Sequence, residues 1–188
     1  MAYFYCARNA AEPERANPDE IMRSILKQLS YTTLQQPIRE PVAGKYKERK
    51  EEADNDGCEP TKLTLQECEG LILALLETNP ATIVIDALDE CDPARRSELL
   101  LALDRIREKS ASLLKVLVSS RDDQDIVCQL KNSPDVLIHA TNNYEDIENF
   151  VLLQVNQSIK DKKLLSGNVT EGLKTRIISS LIGGAQGM

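Results

Sequence analysis

The chain has 188 residues, of which 41% are hydrophobic and 4% aromatic, and its net charge at pH 7 is −7. That length suits one ordinary domain with an aliphatic core. The acidic balance argues against a general nucleic-acid binder, which normally carries a basic face. No apolar run approaches the roughly 20 residues of a membrane span, and no secretory signal is recognisable. We therefore expect a cytoplasmic protein with no membrane span and no nucleic-acid partner.

The five cysteines are widely spaced, no C-x-x-C pair occurs, and His139 is the single histidine. Structural zinc sites use closely spaced ligands of these types, so we expect reduced, mostly buried thiols rather than a metal site. No histidine lies near Cys91 in the sequence to activate it, and we interpret Cys91 as a core residue. His139 is interpreted as a packing or surface residue.

The first predicted elements are a strand and a helix. Residues 3–7 form an apolar segment that predicts a buried strand. Residues 17–20 read NPDE, which places Asn at a helix N-cap, Pro at the first helical position and Glu three residues after the cap. Beyond them Ile21, Ile25 and Leu29 recur at helical spacing and predict the buried stripe of an amphipathic helix.

Residues 35–60 are rich in proline, glycine and charge. This composition predicts an exposed loop with one or two helical turns around residues 45–53. Thr64 and Glu67 then match a capping box, which predicts a helix start. The helix that follows has an apolar face made of Leu65, Cys68, Leu71, Ile72, Leu75 and Leu76.

The most informative segment is residues 83–93, which read IVIDALDECDP. The β-branched apolar run predicts a strand that is buried on both faces. The strand ends in Asp86, and Asp89 and Glu90 follow closely. An Asp at the carboxyl end of such a strand lies where open α/β sheets bind their ligands.

Strands and helices continue to alternate after this segment. Asp92 and Pro93 predict the start of a helix whose inner side carries Leu99, Leu103 and Ile106. Residues 115–121 predict a strand with a polar tip, residues 122–130 a short helix, and residues 136–139 a fourth strand. The alternation predicts an α/β fold with a parallel sheet and right-handed crossovers.

Two more helices are predicted towards the end of the chain. Asn143 is expected to cap the first, from residue 144 to about 158, with Leu153 or Val155 widening an inner face of Ile147, Phe150 and Val151. The second lies near residues 169–181 and is ended by two glycines, and its inner positions are Leu173, Ile177 and Leu181.

In these features the chain resembles the NACHT class of signal-transduction NTPases, within the P-loop STAND group. It resembles in particular the nephrocystin-type N-terminal modules of fungal proteins that carry ankyrin or WD repeats. The matching segments are YFYC (3–6), ILKQL (25–29), IDALDEC (85–91), VLVSSR (116–121) and GGAQGM (183–188). The resemblance implies a P-loop NTPase-like α/β fold with three layers, in which helices cover both faces of a parallel sheet. It also implies a partial NTPase core over residues 1–160 and the start of a following helical region over residues 161–188.

The resemblance assigns roles to four residues. Asp86 matches the Walker B aspartate, which orients Mg²⁺ through its water shell. Asp89 and Glu90 match the acidic pair that positions or activates the attacking water. Arg121 matches the sensor arginine, whose guanidinium contacts the terminal phosphate. The alternatives are an exposed carboxylate at a turn for Asp86, and for Arg121 a salt bridge with Asp122, Asp123 or Asp89.

The sequence departs from this family at the phosphate-binding loop. No G-x-x-x-x-G-K-[ST] motif occurs. The strand that precedes this loop in relatives would lie between the strands predicted at residues 115–121 and 136–139, and it is missing too. We therefore expect an incomplete core, either an internal slice of a longer protein or a truncated gene product. Mg²⁺ and ATP are expected cofactors of the intact parent, and none is assigned to this chain by itself.

Three hypotheses for function remain open. The first is a fragment of an ATP-dependent signalling switch whose parent binds protein partners or assembles with itself, and which does not hydrolyse ATP alone. The second is a non-enzymatic protein-interaction module with a vestigial nucleotide site. The third is a relic that does not fold, because a missing strand leaves open sheet edges.

Overall fold

The computed structural model describes residues 1–31, 37–138 and 143–185. The chain divides into two compact units, Met1–Ser133 and Pro134–Met188. All strands found in the described residues belong to the first unit, whereas the described elements of the second unit are helical. The NTPase core predicted over residues 1–160 stays a prediction, because compactness alone does not define a functional domain.

The first unit is built on a parallel sheet of three strands, β1 (Ala2–Tyr5), β2 (Ala81–Asp86) and β3 (Leu114–Val118). The strand order is β1-β2-β3, so β2 is central. The register aligns Ala2 of β1 and Val116 of β3 with Ile83 of β2. The predicted α/β class with a parallel sheet is confirmed.

Five helices of the described residues accompany this sheet. They are α1 (Pro18–Ser30), α2 (Val42–Asp56), α3 (Leu65–Leu75), α4 (Arg96–Lys109) and α5 (Gln124–Leu130). The predicted caps are confirmed for α1 and α3. The Asn17 side chain accepts a hydrogen bond from the Asp19 N–H, and Thr64 and Glu67 form both bonds of a capping box.

Two helix boundaries differ from prediction. The helix α4 begins at Arg96 rather than next to Asp92, because the Asp92 carboxylate accepts a bond from the Ala94 N–H and forms a turn before the helix. The helix α2 spans 15 residues, where one or two turns were predicted. It ends at Gly57 in a left-handed conformation, and Arg49 anchors it by donating to Glu67 of α3 and to the Thr61 carbonyl.

The hydrophobic core lies between the sheet and the helices α1, α3 and α4. Its fully buried aliphatic side chains alternate along β2 and recur at helical spacing on the helices. They include Ile21, Ile25, Ile72, Ile83, Ile85, Leu99 and Ile106. The apolar stripes that the sequence predicts on these helices are confirmed.

The opposite face of the sheet has no helical layer within the described part of Met1–Ser133. Tyr3, Tyr5 and Leu117 point to this face and are 53%, 56% and 59% exposed. The chain moves in a single direction across the sheet from β1 to β3, and right-handed crossovers then place α1 and α4 on the same side. A second layer needs a connection that runs in the reverse direction. The predicted cover on both faces is therefore not found within the described part of this unit. The strand β1, predicted to be buried, exposes Tyr3 and Tyr5. The strand β2, predicted to be buried on both faces, is fully buried at Ile83 and Ile85 and half-buried at Val84 on the other face.

The second unit contains the helices α6 (Tyr144–Lys160) and α7 (Glu171–Gly184), which pack against each other. Val155 is buried, whereas Phe150 and Leu153 are exposed, and α7 has no fully buried side chain. Asn143 precedes α6, but its side chain makes no capping bond. A pair of helices can bury only one narrow stripe, which is why most of the predicted inner positions remain accessible.

The fourth strand predicted at residues 136–139 is not formed by residues 136–138. These residues are irregular and exposed, and His139 lies outside the described residues. A strand needs a neighbouring strand to take up its backbone hydrogen bonds, and no strand of the described chain pairs with this segment. Among the helices of the described ranges, none is long and apolar enough to cross a membrane.

A pair of substitutions tests whether only one face of the sheet is covered. Ile85→Ala removes a fully buried side chain and should lower the free energy of unfolding by about 3 kcal/mol. Leu117→Ala lies on the adjacent strand and on the open face, and should change it by less than about 1 kcal/mol. Urea denaturation measures both, and equal losses would contradict the two-layer arrangement.

The anchored cap of α3 predicts a pH dependence of stability. The Thr64 N–H, and after it the Arg49 guanidinium, hold the pKa of the Glu67 carboxyl at about 2. Because this folded-state pKa lies below the unfolded value, the stabilisation is complete above about pH 4.5 and is lost as the pH falls to about 2. Glu67→Gln should shrink the fall in Tm between pH 5 and pH 2.5. Glu51→Gln, at an exposed α2 position without an ion pair in the described chain, should leave that fall unchanged.

Candidate functional site

The carboxyl ends of the three strands meet at one edge of the sheet, and backbone hydrogen bonds tie the loops that follow them. The Cys6 N–H donates to the Asp86 carbonyl at 2.9 Å, and the Ser119 N–H donates to the Ile85 carbonyl at 2.9 Å. After β2, the Leu88 N–H donates to the Ser119 carbonyl at 2.9 Å. The loop after β2 therefore lies between the loops after β1 and β3, where parallel sheets usually place ligands.

Asp86 is bonded to the tip of β3. The Ser119 hydroxyl donates to Oδ1 of Asp86 and accepts a hydrogen bond from the Ala87 N–H at 3.0 Å. Ala87 has φ 54° and ψ 50°, a left-handed conformation that turns the chain sharply after the strand. Ser119 thus fixes the direction of one carboxylate oxygen of Asp86, a role that the sequence did not assign to it.

Asp89 and Arg121 come together across the tips of β2 and β3. The Arg121 N–H donates to Oδ1 of Asp89 at 3.2 Å, and Nε of Arg121 lies 3.5 Å from Oδ2. The Asp89 side chain is 10% exposed and that of Arg121 is 82% exposed. Of the salt bridges considered for Arg121, the one with Asp89 is formed, and the guanidinium still faces solvent.

Glu90 points towards the other neighbouring loop. Its carboxylate accepts a hydrogen bond from the Arg8 N–H at 3.2 Å. The Arg8 side chain in turn donates through Nη2 to the carbonyls of Asp89 at 2.8 Å and Cys91 at 3.3 Å. The two acids expected to act as a pair are therefore held separately, Asp89 by the loop after β3 and Glu90 by the loop after β1.

A buried arginine, Arg96, contacts the same loop from the core side. Its side chain is 2% exposed and donates to the carbonyls of Leu88 and Asp89 and to the carboxylates of Asp123 and Asp125. Burial alone would lower the pKa of this guanidinium, but its bonds to Asp125 and Asp123 raise that pKa above its usual value. The sequence contained a signal for it, since Arg96 precedes Leu99 and Leu103 on the buried stripe of α4.

Cys91 has a structural role in this loop, as the sequence analysis predicts. Its thiol is buried and donates to the Ala16 carbonyl at 3.3 Å. Burial raises the pKa of the Cys91 thiol to about 11, and burial likewise raises that of Cys6 to about 12. Both thiols are therefore neutral at physiological pH, which makes them poor nucleophiles.

The donor set at the strand tips suits a magnesium ion only in part. No group of three or more His, Cys, Asp or Glu side chains is arranged to hold a metal within the described ranges. Mg²⁺ usually takes one or two carboxylates and completes its shell with water and phosphate oxygens. Asp86 fits the protein's share of such a shell, and the other ligands would come from a bound nucleotide and water.

The left-handed backbone of Ala87 carries a steric cost, and removing that cost gives a stability test of the loop. Ala87→Gly should raise the free energy of unfolding by about 0.5–1 kcal/mol, because glycine adopts this conformation without steric cost. The same substitution inside α3, Ala74→Gly, should lower it by about 1 kcal/mol. Thermal denaturation of both variants distinguishes these opposite signs, and a loss for Ala87→Gly would contradict the described backbone.

Comparison with known proteins identifies the family. The family model described as Nephrocystin 3, N-terminal matches residues 1–121. The matched range contains all three strands and the residues Asp86, Asp89, Glu90 and Arg121. No curated protein and no solved structure matches the chain. Since the family match covers well over half of the 188 residues, the nephrocystin-type resemblance is confirmed, and the chain belongs to the nephrocystin 3 N-terminal family.

Proposed function

We propose that Met1–Ser133 supplies the magnesium-binding and phosphate-sensing part of an ATP-dependent signalling switch of the NACHT and STAND type. The contact between Asp89 and Arg121, beside Asp86 at the carboxyl edge of a parallel sheet, carries this proposal. It joins an acid and a cation from two neighbouring strands where the γ-phosphate and its Mg²⁺ would need them.

Each of the four residues has a defined task in this proposal. Asp86 orients Mg²⁺ through its water shell, and Ser119 holds its carboxylate in place. Asp89 positions the attacking water, while Glu90 stabilises the loop through Arg8 and takes part in catalysis only if it turns away from that contact. Arg121 contacts the terminal phosphate, for which a permanently charged, forked guanidinium is well suited.

The ion pair between Asp89 and Arg121 is weak enough to be exchanged. Exposed ion pairs contribute about 0–1 kcal/mol, and Arg121 is 82% exposed. A triphosphate carries more charge than one carboxylate and can draw the guanidinium away from Asp89. Loss of that pair then distinguishes the nucleotide-bound state from the empty one, which is the type of differential contact that a switch requires.

Hydrolysis by residues 1–188 alone is not part of the proposal. The sequence contains no phosphate-binding loop, and such a loop provides most of the hydrogen bonds to the phosphates. ATP binding, hydrolysis, protein partners and self-assembly are therefore proposed for a protein that combines this unit with a phosphate-binding loop, in the cytoplasm.

A non-enzymatic interaction module is the second candidate. The open face of the sheet favours it, since Tyr3, Tyr5 and Leu117 are more than half exposed there. In the described chain, the outer edge of β3 also has no strand beside it. Exposed aromatic and aliphatic side chains next to an open edge are typical of surfaces that bind other proteins.

The test begins with the native transcript, which shows whether an in-frame phosphate-binding loop accompanies these residues. Binding of a fluorescent ATP analogue to the encoded protein is then measured with Mg²⁺ and with EDTA. We expect Mg²⁺-dependent binding that Arg121→Ala weakens about 10- to 100-fold, the usual effect of losing a hydrogen bond between charged groups.

Arg107→Ala is the matched control, because Arg107 is exposed and its ion pairs within the described ranges are with acids of its own helix, α4. The Arg107→Ala variant should bind the fluorescent ATP analogue with the affinity of the wild type. Absence of an accompanying loop, or equal affinities for the Arg121 and Arg107 variants, would favour the interaction module instead.

A further inference from the structure

All three nitrogens of the Arg96 guanidinium donate hydrogen bonds, and together they connect two loops. Nη1 donates to the Asp89 carbonyl at 3.0 Å and more weakly to the Leu88 carbonyl at 3.5 Å, both in the loop after β2. Nη2 donates to Asp123 at 2.9 Å and to Asp125 at 2.7 Å, and Nε donates to Asp125 at 2.9 Å. These two acids lie after β3, at the start of α5.

The same contacts close a ring of four residues. Arg96 binds the carbonyl of Asp89, and the carboxylate of the same Asp89 accepts the Arg121 N–H at 3.2 Å. The Arg121 carbonyl accepts the Asp123 N–H at 2.8 Å, and the Asp123 carboxylate returns to Arg96. Every member of this ring is therefore held by two others, and the proposed sensor Arg121 is one of them.

We propose that Arg96 is a positioning residue that fixes the loop after β2 against the loop after β3 and so sets where Asp89 and Arg121 meet the terminal phosphate. This inference rests on the proposed function and deepens it. Arg96 does not touch the nucleotide, since its side chain is buried and its donors are occupied by protein acceptors.

An arginine is needed here because the acceptors lie on both sides. Its planar fork reaches carbonyls on one side and carboxylates on the other, whereas a lysine offers a single nitrogen. Leu99 and Leu103 on the same stripe are apolar, so Arg96 is the charged residue of this buried face of α4. The buried charge is matched by Asp123 and Asp125, which leaves the ring as a unit that moves together.

The ring also connects the proposed sensor to a helix. Asp123 occupies the N-cap position of α5, and Ile126 of that helix is buried in the core. A shift of Arg121 towards a phosphate would therefore pull on the start of α5 through Asp123. The ring gives the proposed switch a physical route from the phosphate to the body of the unit.

The experiment measures exchange of the Arg121 amide hydrogen with water by NMR, in the 188-residue chain without nucleotide. Arg96→Lys should speed this exchange roughly tenfold, because Arg96 no longer holds the backbone of Asp89, whose carboxylate accepts the Arg121 amide. The matched control is Arg105→Lys, which breaks the bidentate pair of Arg105 with Glu69 between α4 and α3. The Arg105→Lys variant should lose no more Tm than Arg96→Lys, and its Arg121 exchange rate should stay within about twofold of wild type.

A milder variant keeps the test decisive if Arg96→Lys does not fold. Asp125→Asn removes the charge from an exposed acid and leaves Arg96 in place, and it should speed the Arg121 exchange several-fold. Unchanged exchange in a folded Arg96→Lys or Asp125→Asn variant would overturn the proposal. The proposal would also be overturned if the Arg121 exchange rate rose in proportion to the loss of Tm in both the Arg96 and the Arg105 variants.

Nucleotide affinity separates this proposal from the proposed function. In the protein that carries a phosphate-binding loop, Arg96→Lys should weaken ATP binding about tenfold and ADP binding less than twofold. The reason is that Arg121 contacts only the terminal phosphate. Equal weakening of ATP and ADP would overturn the positioning role. Absence of ATP binding by the wild type would overturn the proposed function, while the exchange rates would still decide whether Arg96 couples the two loops.

Discussion

Parallel pairing of β2 with both of its neighbours is the constraint on which the rest of the first unit depends. Parallel strands need crossovers, and the crossovers of this chain supply α1, α3 and α4 as cover for one face. The same pairing brings three carboxyl ends to one edge. The loops after β1 and β3 must then contact the loop after β2, and the polar residues of all three loops form one network.

Arginines from three directions stabilise the acidic loop after β2. Arg8 approaches from the β1 side, Arg121 from the β3 side, and Arg96 from the buried side. Arg8 and Arg96 both donate to the backbone carbonyl of Asp89, and Arg121 pairs with its carboxylate. The loop therefore has protein partners on three sides, and Arg96 is the buried member of this group, whereas Arg8 and Arg121 are exposed.

The differences between prediction and structure share a physical cause. Burial of a strand depends on what covers each face, and the alternation in YFYC cannot show that Tyr3 and Tyr5 lie on an open face. The segment at residues 136–138 has strand composition but no partner strand in the described chain. For α2, the sequence suggested only one or two turns, because the anchor of Arg49 on Glu67 connects residues that are distant in sequence.

The sequence by itself determined the α/β class, the caps at Asn17 and Thr64, the buried stripes of α1, α3 and α4, and the position of Asp86 at the end of a strand. These features rest on local preferences and on periodicity, which a single chain displays directly. Only the tertiary structure decided that Asp89 pairs with Arg121, that Glu90 turns to Arg8, and that Arg96 joins two loops. Such contacts link residues up to 82 positions apart, and their geometry depends on strand order and register.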